Sequence, residues 1–236
     1  MNIPILDHGY IKYIEHWGKG ESGINEAAII EAARMSTGKG FNGWDQDEKL
    51  LNYLYTHKHL TPFEMCGMTI EVAAPIFVFR EWHRHRTQSY NEMSGRYIPL
   101  PNENYIPELD RLMQSGGVNK QAQGTGIPLT IGNARIFRER LENFYQIAEA
   151  HYQNALSDGI PKELARLVVP VARYSRMRAS GNLRNWLAFL TLRMDPNAQW
   201  EIRQYANNLG EIIKEIFPRT YKLFLNPEGK VTKTNG

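Results

Sequence analysis

Apolar positions along the chain fall into two kinds of run, some with the 3.6-residue period of a helix and some with the two-residue period of a strand. Residues 1–20 alternate only loosely and hold Gly9, Gly18 and Gly20, which predicts one short strand and a loop. Ile24 to Met35 carries Ala27, Ala28, Ile29, Ile30 and Ala33 at near-helical spacing and predicts a helix that stops before Ser36 and Gly38. Asp45 is a suitable N-cap for a second helix with Leu50, Leu51, Leu54 and Tyr55 on one face, running out at 56–59. Residues 66–73 put Met68, Ile70 and Val72 on one side of a strand. Pro75 suits the first position of a short helix through Ile76, Phe77, Phe79 and Arg80, which brings Arg84, His85 and Arg86 to its C-terminal end.

The second half opens on an irregular excursion, 99–132, rich in Pro and Gly, with one short helix near 108–114. Residues 134–157 give the clearest helical stripe: Phe137, Leu141, Phe144, Ala148, Tyr152 and Ala155. Gly159 ends that helix, and Pro161 opens a short one that Pro170 stops. Residues 171–180 read as a strand with Arg173 pointing outward, and Asn182 as the cap of a helix through Leu192. Asp195-Pro196 is expected to cap and open the last helix, with Tyr205, Leu209, Ile212, Ile213 and Ile216 inward. The long 134–157 helix and this last helix should carry much of the core. No repeat and no linker divides the chain, and residues 227–236 are a polar tail. The pattern predicts an α+β fold, a single domain with a central, mostly antiparallel sheet flanked by helices.

Composition narrows the class. At 236 residues with 42% hydrophobic and 22% charged positions, the chain is too apolar for a disordered protein. No apolar run reaches the ~18–20 residues of a membrane span, and the N-terminal segment lacks the basic and apolar blocks of a signal peptide. A single cysteine, Cys66, excludes an internal disulfide and a multi-cysteine zinc site. The expectation is a cytoplasmic protein.

Net charge is only +3, but its distribution is uneven. Of 17 Arg, four lie in 80–96 and six in 166–193, and neither segment contains Lys. Residues 165–194 also lack Asp and Glu. Arg without Lys suits planar, bidentate recognition of phosphate, carboxylate or a ring edge. The stretch REWHRHRTQSYNEMSGRY, from Arg80 to Tyr97, packs Arg84, His85 and Arg86 together and then offers Ser94, Gly95 and Arg96. Such a turn can present backbone N–H groups, a hydroxyl and a guanidinium to one anion.

The run Arg84-His85-Arg86, seven further residues, then Ser94 resembles the signature of the flavin-dependent thymidylate synthases, and Gly95-Arg96-Tyr97 extends the match. His59 with Thr61-Pro62-Phe63-Glu64, then Pro75-Ile76-Phe77-Val78, Ala165-Arg166, Pro170, Asn182-Leu183-Arg184, Leu192-Arg193 and Ala198-Gln199-Trp200-Glu201 resemble further blocks of that family in the same order. The resemblance implies that family's fold over a domain at 1–226. It implies reductive methylation of dUMP to dTMP, with methylenetetrahydrofolate as methylene donor and FADH2, regenerated by NADPH, as reductant. Carried over residue by residue, Thr61, Arg84, His85, Arg86, Glu92, Asn182 and Arg184 match FAD contacts. Glu81, Arg84, Glu92, Ser94, Gly95, Arg96, Arg166 and Arg193 match the nucleotide site. Among these, Arg193 matches the arginine that favours ionised uracil N3; outside both sets, His59 matches a residue near the flavin and folate entrance. The resemblance further implies a homotetramer with interfacial active sites.

Three positions depart from the resemblance. Glu81 stands where Gln is commonest, so its carboxylate calls for an arginine neighbour. Ala188 stands where an Asn flavin contact is common, so that contact is either lost or taken over by Asn185, and Asn197 stands where His is frequent. Two other readings of the Arg segments are a related flavoenzyme on a modified pyrimidine nucleotide and a nucleic-acid groove, the latter disfavoured by low net charge and absent Lys. Metal ligation by His57 and His59 or His83 and His85 is not expected, because no acidic or Cys partner lies near. Cys66 opens an apolar strand with no adjacent base and reads as structural.

Overall fold

The computed structural model describes residues 1–114 and 129–226. Five strands, β1 (Asn2–Ile5), β2 (Gly9–Trp17), β3 (Gly67–Pro75), β4 (Ser89–Glu92) and β5 (Tyr174–Asn182), form one sheet in the order β1-β2-β3-β5-β4. Every pairing is antiparallel, so the expected α+β fold with an antiparallel sheet holds. The helices are α1 (Ala27–Arg34), α2 (Trp44–Thr56), α3 (Ile76–Trp82), α4 (Leu109–Met113), α5 (Ile131–Ser157), α6 (Lys162–Ala165), α7 (Leu183–Arg193), α8 (Trp200–Ile216) and α9 (Pro218–Leu225).

One face of the sheet is covered. Met68, Ile70 and Val72 of β3 and Met177 and Ala179 of β5 point into a core shared with α3, α7 and α8. The alternation is what a strand with one dry face produces, and Thr69 and Glu71 remain half-buried on the opposite side. Helix α8 buries nine of its residues, and the Tyr205 hydroxyl crosses to donate to the Ala73 carbonyl at 2.9 Å. That crossing requires Gly9, since a Cβ there would stand 2.1 Å from the Tyr205 hydroxyl oxygen.

Several expectations need correction. Residues 1–20 hold two strands, β1 and β2, joined by a turn that places Leu6 at φ 60°. The helix expected from Ile24 begins at Ala27. Gly43, not Asp45, is the N-cap residue of α2, and Asp45 sits in its first turn. Pro75 is the N-cap residue of α3 rather than its first residue, and α3 stops at Trp82. Arg84, His85 and Arg86 therefore follow the helix instead of riding on it.

The strand expected at 171–180 runs from Tyr174 to Asn182. Arg173, expected to face outward, is fully buried. Its guanidinium donates to Glu149 Oε2 at 2.6 Å and to the Pro101 carbonyl at 2.8 Å, partners supplied by distant segments. Asp195-Pro196 opens no helix. Asp195 instead accepts from the Asn197 and Ala198 backbones in a turn, and α8 starts at Trp200. Nor is α8 the last helix: α9 follows, its N-terminal amides at Arg219 and Thr220 received by the buried Glu26 carboxylate at 3.1 and 2.7 Å. Helix α5 contributes little to the main core, and Phe137 and Phe144 of its stripe are exposed. The short helix near 108–114 is α4, residues 115–128 of the irregular excursion lie outside the described residues, and so does the tail 227–236.

Candidate active site

Helices α3 and α7 flank the covered face of the sheet, and their C-terminal ends build the first cluster. Arg193, the last residue of α7, donates from Nε to His85 Nε2 at 2.9 Å, from Nη1 to Glu81 Oε2 at 2.8 Å and from Nη2 to the Glu81 carbonyl at 2.8 Å. The carbonyl belongs to the last turn of α3, so Arg193 also satisfies one of that helix's orphan acceptors. Glu81 thus has the arginine neighbour its carboxylate calls for.

His85 must accept at Nε2, which makes it the neutral tautomer with its proton on Nδ1. Burial, and then the adjacent Arg193 charge, push its pKa down to about 4, against a smaller opposing pull from Glu81. Its ring packs edge-on to Phe189, with centroids 4.7 Å apart. Its backbone carbonyl accepts from the Tyr90 hydroxyl at 2.6 Å, and burial raises that phenol to about 12, keeping it a donor. Phe189 packs against the imidazole and Tyr90 fixes the backbone that carries it, and through the ring the guanidinium is held.

A second cluster lies at the other end of α7. Asn182 caps the helix by accepting from the Asn185 backbone at 3.0 Å, as expected. Asn185 Nδ2 donates to the Thr87 carbonyl at 2.9 Å, which ties α7 to the loop carrying Arg84–Arg86. Arg184 reaches Glu64 at 2.6 Å, in the 3-10 turn Thr61–Met65. Exposed His59 lies just before that turn, edge-on to Tyr53, which in turn stacks on His57 with centroids 4.0 Å apart. Ala188 is exposed on α7.

The third cluster is the Ser94-Gly95-Arg96 turn. The Arg96 amide donates to its own turn at Ser94 Oγ (3.3 Å), and its Nε to Glu163 Oε2 (3.0 Å). Arg166 lies against Gly95, where a Cβ would meet its Cδ at 3.4 Å. Two guanidinium groups and a hydroxyl thus share one exposed corner. Among the described residues, no hydrogen bond or ion pair joins this corner to the Arg193 cluster. Exposed Arg84, Arg86 and Glu92 make no ion pair with any described residue.

The three clusters contain every residue singled out from the sequence as a site candidate or stand beside one. Glu163 and Phe189 do not stand out in the sequence. Tyr90 lies within the arginine-rich stretch and was legible as part of it, whereas Glu163 and Phe189 are set by packing between distant segments. Among the described residues, no group of three or more His, Cys, Asp or Glu side chains gathers as a metal site would require. Cys66 is buried, its thiol raised to about 12 chiefly by burial.

The thymidylate synthase complementing protein family, Thy1, matches residues 21–219. The chain belongs to this family. Its relatives include the flavin-dependent thymidylate synthase of Rickettsia bellii, 40% identical and covering 94% of this chain and 77% of that protein. That of Thermus thermophilus is 39% identical over 95% of this chain and 78% of the relative. Among solved structures, the UMP/dUMP methylase PolB of Streptomyces cacaoi bound with 5-Br dUMP superposes with a TM-score of 0.81 at 30% identity, covering 94% of this chain and 97% of that one. Family membership puts the motif in its expected context and sets the nucleic-acid reading aside.

Proposed function

We propose that this Thy1-family chain is a flavin-dependent thymidylate synthase that converts dUMP to dTMP, with residues 1–226 as the synthase domain. Methylenetetrahydrofolate supplies the one-carbon unit, and NADPH restores the reductant. The observation that carries the reading is Arg193: a guanidinium held in one plane by His85 and Glu81, in a chain with the Arg84-His85-Arg86…Ser94 motif.

The donor set fits FAD. Arg84 and Arg86 present exposed guanidinium groups without a carboxylate partner among the described residues, and Arg184 and Thr61 lie on the adjoining α7 end and 3-10 turn. Unpaired, Lys-free arginines suit a cofactor with a pyrophosphate. With Asn182, His85 and Glu92 they would hold it, and when bound it supplies the two-electron reduction that turns the transferred methylene into a methyl group.

This chain's own residues bind and polarise the nucleotide. Arg96, Arg166, the Ser94 hydroxyl and the Gly95 amide would take the phosphate as charge-assisted hydrogen bonds. Arg193, with Glu81 beside it, would stand at the pyrimidine end. A fixed guanidinium beside O2 and N3 favours the N3 anion, and that charge raises electron density at C5, the carbon that must attack. Because the Arg193 fork is already aligned by His85, little reorganisation is needed when the charge develops. His59 would stand at the folate entrance.

We also infer a homotetramer with active sites between subunits. In its favour, no hydrogen bond or ion pair among the described residues joins the phosphate corner to the Arg193 cluster within one chain. Beside that corner, Leu164 and Leu167 are exposed, as are Phe144 and Ile147 of α5, an apolar surface of the kind that marks an interface. A second reading, methylation of UMP, has the PolB likeness behind it, at lower identity than the dTMP-forming relatives. Anaerobic incubation with methylenetetrahydrofolate, NADPH and either dUMP or UMP tests both. A product heavier by one methylene from dUMP supports the proposal, and product from UMP alone refutes it.

A further inference from the structure

The hold on Arg193 is unequal in its parts. Nε is bound to an imidazole wedged against Phe189, and Nη2 to a helix backbone carbonyl, neither of which can leave without disturbing α3 or its following turn. Among the described residues Nη1 is bound only to the Glu81 carboxylate, on a side chain that is 43% exposed, while the Arg193 side chain is 15% exposed. One of the three partners can swing into water at small desolvation cost, and the guanidinium stays where it is. The carboxylate therefore covers the edge of the guanidinium that a pyrimidine ring would need.

We propose that Glu81 is a positioning residue that acts as a latch on Arg193. It holds the guanidinium edge in the empty site and yields Nη1 to the O2–N3 edge of the pyrimidine when the nucleotide binds. This rests on the reading that Arg193 faces the ring. The latch makes part of the binding energy of the ring go into breaking a charge-assisted bond, so nucleotide affinity is set below what the site could reach. It also favours ligands that bring an acceptor edge able to replace a carboxylate. A bare sugar phosphate has no such edge and leaves the latch closed.

The test uses flavin-loaded protein and isothermal titration with two probes, dUMP and 2-deoxyribose 5-phosphate, on the wild type, Glu81→Gln, Arg193→Lys and the double variant. Flavin occupancy checks that each is folded. Replacing the carboxylate acceptor with a neutral amide oxygen in Glu81→Gln removes the ion pair and leaves a weaker bond to the guanidinium, which should tighten dUMP by about five- to tenfold. Binding of 2-deoxyribose 5-phosphate should change by less than about twofold, because the phosphate does not compete for Nη1. Glu81→Asp, with its carboxylate drawn back by one methylene, should shift dUMP in the same direction by less. In steady state the gain should fall on KM more than on kcat. In the Arg193→Lys background the effect of Glu81→Gln on dUMP should shrink to about twofold or less, since the latched edge is gone.

Equal tightening of both probes would mean that Glu81 only repels the phosphate, and would overturn the latch. Weaker dUMP binding in Glu81→Gln would mean that the carboxylate itself holds the nucleotide, and would overturn it as well. Undiminished turnover in Arg193→Lys would count against Arg193 at the ring, and the latch would fall with it. Crippled turnover there, together with an undiminished Glu81→Gln effect in the double variant, would overturn the latch alone.

Discussion

Arg193→Lys separates binding from chemistry. The wild-type guanidinium makes three hydrogen bonds, all between 2.8 and 2.9 Å. A lysine ammonium on the last residue of α7 keeps the charge, but its donors are not arranged in a plane and no longer present the edge that Glu81 covers. The bonds to His85 Nε2 and the Glu81 carbonyl are lost together. Two such bonds from a charged donor, each about 1.5 kcal/mol at this partly exposed site, put the stability cost at about 3 kcal/mol, which leaves a folded protein. With the phosphate held by the proposed corner of Arg96, Arg166 and Ser94, dUMP affinity should fall by no more than about tenfold. Turnover depends on a fork aligned with O2 and N3 as charge develops, and losing one such donor is worth about 10²–10³ in kcat. Single-turnover kinetics at saturating dUMP read the chemical step apart from binding. A raised dissociation constant with normal turnover at saturation would refute the assignment of ring ionisation to Arg193.

Three further outcomes follow from the same geometry. Arg96→Ala removes an exposed pair with Glu163, which costs little stability, yet it should weaken dUMP about 10- to 150-fold with FAD occupancy retained; equal loss of both ligands would show that the two sites are not separate. His85 is neutral in the fold with its pKa lowered from 6.5 to about 4, so between those values the unfolded chain binds the extra proton. Stability is therefore lost as pH falls from about 6.5 to about 4, and His85→Gln should flatten that limb of a Tm-against-pH curve; an unchanged limb would contradict the neutral imidazole. Cys66→Ala should keep most dTMP formation at a packing cost of about 1 kcal/mol, because the buried, high-pKa thiol is no nucleophile, and a folded, flavin-loaded but inactive variant would contradict the chemistry.

Local chemistry was legible in the sequence wherever it is decided locally. Asn182 caps α7 by its own side chain, Gly159 and Pro161 punctuate the α5–α6 junction, and the alternation of β3 reports its single dry face. The motif stretch was legible because Arg-only segments carry a charge pattern that a solvated helix face lacks. What failed depends on partners far away in the chain. Arg173 has the look of a surface residue until Glu149 and the Pro101 carbonyl close on it. Helix α9 has its N-terminal amides met by Glu26, which no window of the sequence connects to it. The apolar stripe of α5 was real, but only Ala148 and Tyr152 of it are buried within the chain, and Phe137 and Phe144 face outward. The Glu81–Arg193 pair was foreseen only as a need for some arginine. Which arginine meets it follows from α3 and α7 ending side by side, a fact of packing rather than of pattern.

The central claim is that this chain methylates dUMP with electrons delivered by a bound flavin, on a ring activated by arginine and not by a thiolate. A single-turnover experiment tests it most directly: FAD-loaded protein is photoreduced under anaerobic conditions, given dUMP and methylenetetrahydrofolate without NADPH, and the quenched mixture is read by mass. About one dTMP per reduced flavin is expected, with the flavin oxidised in step and the Cys66→Ala variant behaving alike. Formation of dTMP while the flavin stays reduced, or none at all from protein that binds both ligands, would contradict it.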